Sequence, residues 1–137
     1  MNTMYGNNNH DGKRQPSAKK SYKAEKDSFH MALTACIVNI VTAALMIVFS
    51  YILISSPASR EIYTRFLFLP VSAFAGAFIS FLIQKELLIN ASVSVLIHII
   101  AHLIFVSFSF SALVWGLFYF INAFVGFMAA LVVRTFH

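Results

Sequence analysis

The chain has 137 residues, of which 59% are hydrophobic and only 11% charged, with a formal net charge of +5. Ordinary soluble domains carry about 25% charged residues, so this surface is too apolar for water. A single cysteine, Cys36, excludes an internal disulfide and reads as a small hydrophobe within an apolar stretch.

The chain opens with a polar segment. Residues 1–28 are rich in Asn, Ser and Lys and show no hydrophobic periodicity, which predicts a disordered, basic tail. Its bases are Lys13, Arg14, Lys19, Lys20, Lys23 and Lys26, opposed by Asp11, Glu25 and Asp27. Such a tail sets topology and can also bind anionic lipid, at about 1 kcal/mol per base near the surface. Nucleic acid is excluded as its partner, because acids are mixed with the bases and only Tyr5 and Tyr22 could stack on bases. It is also not the charged start of a cleavable signal. The apolar segment Met31–Ile54 that follows is 24 residues long, against about 7–15 for a cleaved one.

From Ser28 onward six residues carry a charge: Arg60, Glu61, Arg65, Lys85, Glu86 and Arg134. They divide the sequence into lengths that match the bilayer, for which a helix needs about 20 apolar residues. The first span is Met31–Ile54. The second is Phe66–Gln84, the 19 uncharged residues between Arg65 and Lys85. The 47 uncharged residues of Leu87–Val133 are too long for one crossing and suit two, near Leu88–Val106 and Ala112–Val133, with Ser107–Ser111 as the turn. Open backbone is not tolerated in lipid, and the regular alternation of a β-barrel is missing. The predicted fold is an all-α integral membrane protein, residues 29–137 forming an antiparallel bundle of four transmembrane helices. Pro70 falls near the start of the second span. It favours a helix that begins at Leu69 and kinks one that begins at Phe66.

With the tail in the cytoplasm, eight bases lie inside and two, Arg60 and Arg65, lie outside. That bias predicts cytoplasmic termini and location in a cell membrane, with the short loops of a bacterial cytoplasmic membrane.

Within the spans, small and polar residues recur every four positions and so share helix faces. Ala35, Asn39 and Ala43 mark the first helix; Ser72, Gly76 and Ser80 the second; Asn90, Ser94, His98 and His102 the third; Asn122, Gly126 and Ala130 the fourth. Ser72, Gly76, Ser80, Gly126 and Ala130 are the expected packing positions, because small residues let backbones approach where lipid supplies no hydrophobic drive. Directed outward, one such stripe would instead make a contact with a second copy or with another membrane protein.

Asn39, His98, His102 and Asn122 form the candidate intramembrane polar site. His98 and His102, at i and i+4, are the only side chains in the spans that titrate near neutral pH. They are weak metal or haem ligands, since a structural site takes four donors and no Asp or Glu lies in any span. The structural alternative is a neutral pair bonded across helices to Asn39 or Asn122. No cofactor is expected. No enzyme activity is expected either: there is no Gly-rich phosphate loop, and no nucleophile with an orienting base and acid.

In size and helix count the chain resembles small multidrug exporters and fluoride channels. The exporters depend on a glutamate embedded in the first helix, where this chain has only Asn39, so the resemblance does not carry their proton coupling. The preferred reading is a non-enzymatic accessory or regulatory subunit acting through lateral helix contacts. The alternative is a small dimeric transporter or channel with a path through Asn39, His98, His102 and Asn122.

Overall fold

The computed structural model describes residues 18–136, and they are all-helical apart from short connections. In chain order these are α1 (Ala18–Leu53), α2 (Pro57–Tyr63), a π-helical turn (Thr64–Phe68), α3 (Leu69–Ile83), α4 (Leu87–Phe105) and α5 (Ser111–Thr135). Among the described residues, four helices are long and apolar enough to cross a membrane: Tyr22–Leu53, Pro57–Ile83, Leu87–Phe105 and Ser111–Thr135. The expected turns fall at Gln84–Glu86 and at 106–110.

Two expectations change. The tail was expected to be disordered through Ser28, yet α1 begins at Ala18; residues 1–17 lie outside the described part. The reason is local. Ala, Lys and Glu dominate 18–26, all good helix formers, and no Gly or Pro occurs between Pro16 and Pro57. A helix already nucleated by the apolar span adds each further residue cheaply. Residues Tyr22 to His30 are exposed, so this end of α1 stands clear of the other helices.

The second change concerns Pro70. The α-helical part starts at Leu69 with Pro70 in its first turn, as one alternative required, but the preceding residues are helical too. The Leu69 N–H bonds Thr64 O, five residues back. This wider turn accommodates a proline that has no N–H of its own, so the second span runs from Pro57.

Arg60 closes the end of α1. Its Nε and Nη2 donate to Ile54 O at 3.0 and 2.9 Å, and Nη2 also reaches Ser55 O at 3.3 Å. Its guanidinium lies 4.2 Å from the centre of the Tyr51 ring. Carbonyls left over at a helix end need such donors.

α3 contacts α1, α4 and α5, and α4 in turn contacts α1 and α5. The faces that meet are the small and polar ones. Ala35, Asn39 and Ala43 of α1, and Ser72, Ala73, Gly76, Ala77 and Ser80 of α3, are buried. So are Asn90, Ser94, His98 and His102 of α4, and Gly116, Ala123, Gly126 and Ala130 of α5. Large apolar residues, such as Ile52, Leu88, Leu96 and Val114, face outward. All five expected packing positions are thus buried. α3 and α5 are close at Gly126, where a Cβ would collide with the Phe74 carbonyl. At Gly116 a Cβ would meet only the end of the Ile99 side chain, 2.7 Å from its Cδ1.

Backbone cannot yield as a side-chain tip can. Gly126→Ala is therefore expected to destabilise by about 1–3 kcal/mol and Gly116→Ala by clearly less. Unfolding midpoints in mixed detergent measure this, and an equal loss at both sites would contradict the close approach.

Candidate functional site

α4 forms the spine of the site. Asn90, Ser94, His98 and His102 repeat every four residues on the face turned to α1, α3 and α5, and each is at most 2% exposed. At about 1.5 Å per residue they span some 18 Å along the helix. Asn90, His98 and His102 each reach a different neighbour.

At one end, the Gln84 Nε2 donates to Met31 O at 2.7 Å and to Asn90 Oδ1 at 2.6 Å. Asn90 Nδ2 returns a bond to Gln84 O at 3.1 Å. The turn between α3 and α4 is thereby tied to α1. At the next level, Asn39 Nδ2 donates to Ala35 O at 2.8 Å and to Ser80 Oγ at 3.3 Å. Its Oδ1 sits where a side chain on residue 76 would be, so Gly76 makes room for the amide.

His98 joins α4 to α3. Nδ1 lies 2.7 Å from Ser94 O, and Nε2 lies 2.6 Å from Ser72 Oγ. A carbonyl can only accept, so Nδ1 carries the proton of the neutral ring and Nε2 accepts the Ser72 hydroxyl proton. Both nitrogens are then in use. His102 joins α4 to α5, with Nδ1 2.6 Å from the hydroxyl of Tyr119, a residue that is wholly buried. A phenol hydroxyl can donate or accept, so this bond forms with either tautomer of the ring. The two histidines are thus bound across helices, the structural alternative drawn from the sequence, but through Ser72 and Tyr119 instead of Asn39 or Asn122.

Asn122 stands apart. It is only half-buried on α5 and donates to Phe118 O of its own helix at 2.8 Å. Of the four candidate site residues, the structure brings Asn39, His98 and His102 into one seam and leaves Asn122 outside it. A helix advances about 100° per residue. The buried face of α5 steps by three and four through Gly116, Tyr119, Ala123 and Gly126, and a strict four-residue count backward from Gly126 misses it by one position. Tyr119 was therefore overlooked; the mixed three-and-four spacing of small residues around it was the available signal. Gln84, read only as the last residue of the second span, was overlooked as well.

For a metal, the donors are too few. Among the described residues, no group of three or more His, Cys, Asp or Glu converges. Cys36 is a free, half-buried thiol. Among the described residues, four buried side-chain atoms lack a hydrogen-bond partner: Asn39 Oδ1, Ser94 Oγ, His102 Nε2 and Arg65 Nε.

A groove lies elsewhere, between α1 and α4. It has a volume of about 450 Å³ and is apolar, with Ala43, Ala44 and Ala101 among its lining residues beside Ile40, Ile47 and Ile104. A smaller cavity of about 180 Å³ lies near the end of α1, lined by Ser50, Tyr51, Arg60, Glu61 and Thr64 among others. Comparison with family models, curated proteins and solved structures found no match for the chain.

Tyr119→Phe strips His102 of its partner and is expected to cost about 1–3 kcal/mol of stability. Asn122→Leu removes an amide from an outer face and should leave stability unchanged or raised. Unfolding of the two variants in the same detergent compares them, and a comparable loss in Asn122→Leu would return that residue to the seam.

Proposed function

We propose that this chain is a multi-pass protein of a cell membrane, an antiparallel four-helix bundle that serves as a non-enzymatic accessory or regulatory subunit. One observation carries the reading. The polar residues of the seam bond to one another or to nearby backbone, and the outward faces are left to large apolar side chains. An outer surface of that kind can engage only lipid or another apolar helix. Where it does the latter, van der Waals fit supplies the energy. The groove between α1 and α4 has the small-residue floor that such a fit uses.

The partner in this reading is a larger membrane protein; a second copy of the chain is the partner of the transport reading below. Anionic lipid engages the basic N-terminal segment. The charge bias favours both termini in the cytoplasm, and a bacterial cytoplasmic membrane suits the short connections. Tyr51, Tyr63 and Trp115 all lie toward the end that carries Arg60 and Arg65, which suits that end to a membrane–water interface of either side.

A second reading, a small dimeric transporter or channel, draws support from the length of the seam and from its unpartnered atoms. Asn122, on the outer side of α5, would join a path through Asn39, His98 and His102 only at a dimer contact.

Extraction in native lipid particles, followed by mass measurement and identification of co-purifying chains, separates the two. A larger membrane protein at fixed stoichiometry is the expected result, whereas a homodimer alone would defeat the accessory reading in favour of transport. Topology is checked independently. A reporter fused after His137 is expected to be active on the cytoplasmic side, and activity on the opposite side would require an odd number of crossings.

A further inference from the structure

The apolar groove between α1 and α4 adjoins the polar cavity at the end of α1, and Ile47, Tyr51 and Phe105 line both. Along α1 the groove runs from Ile40 to Tyr51, and along α4 from Ile97 to Phe105. Ala43, Ala44 and Ala101 form its floor between larger side chains. The 11 steps from residue 40 to residue 51, at about 1.5 Å each, give it a length of about 16 Å. The hydrocarbon core of a bilayer is about 30 Å thick, so the groove has the depth of one leaflet.

At the Tyr51 end the lining turns from apolar to polar, with Ser50, Arg60, Glu61 and Thr64 in the wall of the cavity. Arg60 is fixed in place there. Its Nε and Nη2 hold the carbonyls of Ile54 and Ser55, and its guanidinium lies against the Tyr51 ring. Among the described residues no bond commits Nη1, and no carboxylate pairs with Arg60. Glu61 is engaged instead by Arg65, at 2.7 Å. Two positive charges and one negative thus leave a net charge of +1 at this end, carried by Arg60. A held guanidinium with a free N–H and no counter-charge is complementary to a phosphate oxygen.

We propose that groove and cavity together bind one glycerophospholipid, with an acyl chain between α1 and α4 and its phosphate at Arg60. Length decides the occupant. A partner helix crosses both leaflets, about 30 Å, whereas the groove ends at Ile40; an acyl chain needs one leaflet only. The volume of about 450 Å³ lies within the range of about 300–1,000 Å³ found for sites that bury small molecules. Surrounding lipid is as apolar as the groove, so the chain gains fit and the phosphate supplies the selectivity. The site lies at the end of α1 opposite the basic N-terminal segment. It goes beyond the accessory reading and does not rest on it, because a chain seated there becomes part of the surface that a partner meets.

The full-length protein in a maltoside detergent, which carries no phosphate, is incubated with phosphatidylglycerol bearing a photoreactive diazirine on one acyl chain. After illumination and digestion, mass spectrometry maps the labelled residues. The expected result is saturable labelling within residues 40–51 and 97–105. Unlabelled phosphatidylglycerol should compete at about tenfold lower concentration than diacylglycerol with the same chains, the worth of one charge-assisted hydrogen bond. Arg60→Met should remove that preference. Ala44→Phe fills the groove from an exposed position, so it spares the packing between helices and should abolish the labelling. This variant, together with the competition in wild type, keeps the test decisive if loss of the Arg60 clamp unfolds the chain. Labelling confined to other residues, equal competition by the two lipids, or undiminished labelling of Ala44→Phe overturns the proposal.

Discussion

The polar groups between the helices constrain everything else in this molecule. Lipid outside the helices offers nothing for an amide or imidazole to bond, and it offers no hydrophobic gain when two apolar faces meet. The chain answers both conditions with one seam. Asn39, Ser72, Ser80, Asn90, His98, His102 and Tyr119 supply directional bonds, and Gly76, Ala77, Ala123 and Gly126 let the helices come close enough to make them. Each set is needed for the other. The Asn39 amide fits because residue 76 lacks a side chain, and Gly126 brings α5 against the carbonyl of Phe74.

That dependence explains which parts were legible in the sequence. Number and approximate extent of the long helices follow from charge spacing alone, because six charges in 110 residues leave few divisions of bilayer length. The faces of α1, α3 and α4 were legible too, since Asn39, Ser72, Gly76, Ser80, Ser94, His98 and His102 fall on a four-residue repeat and are buried together. α5 was misread by one residue because its repeat alternates threes and fours. Asn122, which carries an amide, drew the reading toward the wrong face; the burial of a tyrosine between Gly116 and Ala123 was masked by the many aromatics nearby. The start of α1 was misread for a different reason. Hydrophobic periodicity ends near Met31, but helix propensity does not, and propensity governs a segment that packs against nothing.

Within the seam, the two histidines are distinct despite their equivalent spacing. His98 has both ring nitrogens engaged and works as a rivet between α3 and α4. His102 spends one nitrogen on Tyr119 and keeps the other free, at the level where Arg65 and Trp115 also gather. The sequence makes them a pair; the neighbours they meet on α3 and α5 separate their chemistry. A lone carboxylate, Glu61, serves the same end of the molecule by neutralising Arg65.

The unbroken course of α1 has a mechanical consequence. Its 36 residues contain no glycine or proline, and its first exposed turns continue without interruption into the part that carries Asn39. An α-helix is stiff in torsion, as every turn is latched to the next by its own hydrogen bonds. Whatever grips the projecting end, twisting it by a few degrees would turn Asn39 against Ser80 and the bare backbone of Gly76. The C-terminal end of the same rod is clamped by Arg60, so the twist would have to be taken up within the seam.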